Sequence, residues 1–70
     1  MTSVYTAITK KSGDWWVGWI EEVPGVNAQE KSKEELLSSL RDILAEALEF
    51  NRTDARLLAE DNYTEEFVTL

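Results

Sequence analysis

The sequence predicts an α+β fold: a single β-β-β-α-β domain over residues 1–70, with a mostly antiparallel sheet packed on one main helix. Three observations predict it. Residues 1–31 alternate β-branched and aromatic types with small polar ones, as strands do. A capping signal at Ser32 opens a long stretch whose apolar residues recur at helical spacing. From Tyr63 onward the composition returns to aromatic and β-branched types.

The first strand is read over Val4 to Lys10, where Val4, Thr6 and Ile8 alternate with Tyr5, Ala7 and Thr9. Lys11-Ser12-Gly13-Asp14 supplies a turn, and a second strand follows from Trp15 to Glu22, which together make a hairpin. Val23-Pro24-Gly25 then interrupts pairing, because proline has no N–H to donate to a ladder. A short third strand is expected over Val26 to Glu30. In Ser32-Lys33-Glu34-Glu35 the serine hydroxyl can accept from an orphan N–H of the first helical turn while Glu35 reaches back, so a helix starts here. Leu36, Leu40, Ile43, Ala47 and Phe50 step by three or four, and Leu37, Leu44 and Leu48 widen the stripe into a core-facing surface. Asn51 is a stop signal and Thr53 a cap for a short second helix over Asp54 to Glu60; one unbroken or kinked longer helix is the alternative. After Asn62, residues Tyr63 to Leu70 read as a final strand returning to the sheet.

The segment Trp15-Trp16-Val17-Gly18-Trp19-Ile20 is the most informative in the chain. Side chains alternate across a strand, so Trp15, Val17 and Trp19 share one side and Trp16, Gly18 and Ile20 the other. Both sides are apolar, and one helix covers only one face of a sheet. Alternation alone leaves open which face is core. The plainer reading has Trp16 and Ile20 inside while Trp15 and Trp19 lie along a polar surface. The functional reading makes Trp15, Val17 and Trp19 an oligomer or partner interface, since aromatic side chains bury large areas with few rotors.

Composition narrows the function. The 70 residues carry 7 basic and 14 acidic side chains, a net charge of −7, and neither histidine nor cysteine. A domain of about 60 residues buries only about 60% of its unfolded surface, so its core is marginal. Small scaffolds make up that deficit with disulfides, a metal or a partner chain. Without cysteine the first is impossible, thiolate zinc sites go with it, and partner chains remain. Lacking the usual general base and the strongest nucleophile, the chain is expected to be no enzyme and to hold no cofactor or metal. Asp14, Glu21 and Glu22 flank the second strand and are read as a solvated rim rather than a metal or acid–base cluster. Residues 30–70 hold 5 basic and 11 acidic groups, net −6, against net −1 for residues 1–29. A field of that sign repels nucleic acid and speeds encounter with a basic protein. Neither an apolar leader nor a spanning segment is evident, so a cytoplasmic protein without a membrane role is expected.

These residues resemble a family. Tyr5-Thr6-Ala7-Ile8, a charged turn, Asp14-Trp15-Trp16-Val17, then Val23-Pro24-Gly25-Val26 and Ala28-Gln29-Glu30-Lys31-Ser32-Lys33-Glu34-Glu35 ahead of an amphipathic helix are similar to the HicB-like antitoxins. The likeness runs over nearly the whole chain. It implies a β-β-β-α-β domain described as a partly degraded ribonuclease H-like fold. It also implies a binding role: family domains assemble as dimers or tetramers and cap a small basic toxin, HicA, which cleaves mRNA with a catalytic histidine. The antitoxin occludes that toxin and is not itself a nuclease. Members commonly have glycine at Glu30, threonine at Ser32 and alanine at Leu36; serine keeps the helix cap. Many append a DNA-binding segment that these 70 residues do not include, so operator binding is not carried over. The alternative is an orphan oligomeric protein of this fold that binds a small ligand or another protein without catalysis.

Overall fold

A computed structural model describes residues 4–70. It is an α+β fold of three strands followed by one helix: β1 (Ala7–Ser12), β2 (Trp15–Ile20), β3 (Asn27–Glu30) and α1 (Lys33–Ala59). The sheet is antiparallel in the order β1-β2-β3, so the tryptophan strand lies in the middle.

The hairpin is tighter than the sequence suggests. Ser12 pairs directly with Trp15, leaving Gly13-Asp14 as a two-residue turn. Gly13 has φ +61° at the first of these positions, as a type II′ turn requires. Relative to the expected bounds, β1 therefore begins later and runs through Ser12, and β2 stops at Ile20. Beyond β2 the chain turns sharply. The Val26 N–H donates to the Val23 carbonyl at 3.4 Å, and the Val26 carbonyl accepts from the Ile20 N–H at 3.0 Å. Val26 is thus in the core but ahead of β3.

Ser32 caps α1, with only the serine half of the expected reciprocal capping box formed. Its backbone is extended, and its Oγ accepts from the Glu35 N–H at 3.1 Å. The helix crosses one face of the sheet and buries Leu36 and Leu40 against Ile20 and Val26, with Tyr5, Ala7, Trp16, Val23, Ala28, Ile43, Leu44 and Ala47 packed around them. Removing each buried aliphatic side chain from water contributes about 1.5–3 kcal/mol. Ser39 Oγ donates to Glu30 Oε2, tying α1 to β3.

The second half differs from the sequence-based expectation in two places. Of the two alternatives for the helix, the unbroken one holds: it does not stop at Asn51 and restart at Thr53 but is one element of 27 residues. No glycine or proline stands between Ser32 and Leu70, Arg52 pairs with Glu49 at 3.6 Å across one turn, and Ala55 to Ala59 are good helix formers. The final strand over Tyr63 to Leu70 does not form: these residues pair with no strand. The uninterrupted helix carries the chain past the sheet, since the twelve residues from Leu48 to Ala59 advance about 18 Å beyond the last packed turn. Glu60 (φ 60°) and Asn62 (φ 59°) then turn the chain back along the helix.

Candidate functional site

The register shows which side chains share a face of the sheet, and the helix shows which face is free. Ile8 pairs with Trp19, Lys10 with Val17, Trp19 with Asn27 and Val17 with Gln29, so these side chains share a face with Trp15. The helix packs on the opposite face, where Gly18 and Ile20 are buried and Trp16 is half-buried.

Gly18 is why the helix takes that side. A Cβ there would lie 2.7 Å from the Ile8 carbonyl oxygen, 3.1 Å from Leu36 Cδ2 and 3.3 Å from Leu40 Cδ1. The close neighbour that this glycine admits is the chain's own helix.

The free face presents Trp15 at 39% exposure and Trp19 at 43%, with Val17 and Ile8 half-buried between and beside them. Lys31 Nζ stands 4.9 Å from the Trp15 ring centroid, a cation–π contact that draws a charge over one edge of the patch. On the helix side, Lys11 and Lys33 each approach the Trp16 ring at 5.9 Å. The result is a flat apolar strip across the middle strand, rimmed by Lys10, Lys31, Asn27 and Gln29. Apolar patches with polar rims mark docking sites. Alternation alone does not bring Ile8 and Lys10 into the strip, because their cross-strand neighbours depend on the hairpin register. The two-residue turn at Gly13-Asp14 sets that register.

The three carboxylates considered as a cluster are separated. Asp14 is at the hairpin tip, whereas Glu21 and Glu22 follow the far end of β2, about 20 Å away along the strand. Glu22 has a structural partner: the Thr6 N–H donates to its Oε1 at 2.8 Å, which holds the carboxyl below its ordinary pKa. Among the described residues, no group of three His, Cys, Asp or Glu side chains converges as a metal site would need. No helix among them is long and apolar enough to cross a membrane.

Comparison with protein-family models, with curated proteins and with solved structures finds no match to this chain.

Proposed function

We propose that the chain is a HicB-like antitoxin domain, a non-catalytic binding module of the cytoplasm that self-associates and neutralises a basic HicA-type mRNA-cleaving toxin by occluding its surface. The observation that supports this is the free sheet face, where Trp15, Val17 and Trp19 form an uncovered apolar strip on a domain of net charge −7. Apolar area supplies affinity at the centre of such a contact, and the acidic field around it accelerates encounter with a positively charged partner.

The experiment is co-expression with a HicA-type toxin encoded beside this reading frame. Growth is restored by the wild-type chain and lost with Trp15→Ala/Trp19→Ala, a pair whose circular dichroism and denaturation midpoint stay close to wild type because both rings lie outside the core. Rescue that survives the double substitution removes the free face from the reading. With no such toxin gene adjacent, and no rescue against any HicA-type toxin, the orphan oligomeric reading replaces the antitoxin one.

A further inference from the structure

The chain exposes more surface than a self-sufficient monomer of its size. Its accessible area is 6047 Å², whereas a compact monomer of 8.0 kDa exposes about 4,450 Å². The radius of gyration is 15.2 Å, against about 11 Å for a compact domain of 70 residues. The surplus of about 1,600 Å² per chain, doubled for a pair, falls within the range of obligate homodimer interfaces, about 2,000–5,000 Å² in total.

Part of that surplus lies in the half of α1 that overhangs the sheet and part in the tail, where Phe67, Val68 and Leu70 are exposed. Phe50 (71% exposed), Leu57 (71%) and Leu58 (78%) continue the same helical stripe as Leu36, Leu40, Ile43 and Ala47, with no sheet beneath them. At the root of the overhang lies an open groove of about 480 Å³ between the Val23–Val26 turn and the helix, lined by Val23, Pro24, Val26, Ile43, Ala47 and Phe50, with Glu46 and Asn51 also in its wall. Four of these belong to the core or pack directly on it, so the groove is the unfinished end of the core. The tail does not cover the stripe. It folds along another side of the overhang, where Glu65 Oε1 accepts from Arg56 Nε at 3.3 Å and Nη2 at 3.1 Å, and Tyr63 and Thr64 face Arg52, Ala55 and Ala59.

We propose that the overhanging half of α1 is the self-association element, and that its occupant is a second copy of this chain. The stripe and the groove are complementary and lie on one helix, with Leu57 and Leu58 about 16 Å beyond Ala47 along its axis. A two-fold axis perpendicular to α1 and passing beside it at the level of Arg52, midway between them, brings the Leu57 and Leu58 of each copy over the groove of the other. The contact is isologous and closes at two copies. Asp54, within the stripe, is then placed near its symmetry mate, a like-charge pair that weakens the assembly. This inference rests on the self-association in the proposed function but not on toxin binding, because the tryptophan face takes no part in it.

The test is sedimentation velocity on the full chain at micromolar concentration, with circular dichroism as a control. The wild type runs at twice 8.0 kDa. Leu57→Glu/Leu58→Glu runs as a folded monomer, Asp54→Asn tightens the dimer several-fold, and Trp15→Ala/Trp19→Ala leaves it intact. A wild-type monomer overturns the proposal, as does a dimer that survives the leucine substitutions or is unaffected by Asp54→Asn. A dimer lost only with the tryptophan pair overturns it too and moves self-association to the free sheet face. Should the leucine variant lose helicity, the absence of native cysteine permits a single spin label at Asn51→Cys. Helix axes packed about 8–10 Å apart place the two labels within dipolar-broadening range of one another. An unbroadened spectrum at the same concentration overturns the pairing.

Discussion

A single hydrogen on Gly18 decides how the sheet and helix meet. Any larger side chain would press on the Ile8 carbonyl, which is backbone and cannot swing away, and on the two leucines at the centre of the core. We expect Gly18→Ala to destabilise the fold by about 1–3 kcal/mol, as overpacking does in well-filled cores. Urea denaturation followed by tryptophan fluorescence measures this, and a change below about 0.5 kcal/mol, typical of surface sites, would show that the helix does not bear on Gly18. The same residue bears on what alternation could reveal. Trp16 and Trp19 are equally apolar in sequence, so a pattern of period two assigns them to opposite faces without saying which is inside. The glycine between them carries the missing information, because the face with room for a close backbone approach is the face that meets the helix. Trp15, Val17 and Trp19 were legible as one face; their lying on the free one was not, since that depends on where α1 lands.

For the helix, start and end differ in how strongly local chemistry dictates them. The start rests on a side chain that accepts from a specific N–H, a signal complete within four residues, and the structure follows it. Asn51 and Thr53 are only permissive signals. Either residue can end or begin a helix, and either can sit within one when nothing on the other side competes. Nothing does here, so the helix runs on to Ala59 and the strand-like tail is carried away from the sheet edge it would have joined. Strand propensity without a neighbouring strand is insufficient, because strand stability comes from cross-strand partners. Two substitutions of similar appearance should therefore act with opposite sign. Ser32→Ala removes a cap and costs about 1 kcal/mol. Thr53→Ala replaces a β-branched residue inside an exposed helical turn and is neutral or stabilising by up to about 0.5 kcal/mol. Thermal denaturation of both variants checks the pair, and a loss at Thr53 equal to that at Ser32 would mean that a second helix begins there after all.

Over the whole molecule, charge and apolar surface are distributed so that two kinds of association respond oppositely to salt. Residues 46–66 hold seven acidic and two basic side chains, and they include the overhang through which a second copy is proposed to dock. Copies of a chain of charge −7 repel at long range, so their pairing is driven by the stripe of Phe50, Leu57 and Leu58 and opposed by electrostatics. A basic toxin, in contrast, is drawn to the same field. Raising sodium chloride from about 0.05 M to about 0.5 M shortens the screening length from roughly 14 Å to roughly 4 Å, which weakens both the repulsion and the attraction. The self-association constant measured by sedimentation equilibrium should therefore rise across this range, while the affinity for a HicA-type toxin, followed by intrinsic tryptophan fluorescence, should fall mainly through a slower association rate. Self-association that weakens with salt would mean that ion pairs rather than the apolar stripe hold the copies together. Toxin binding indifferent to salt would mean that the acidic field contributes nothing to recognition and that the tryptophan strip acts alone.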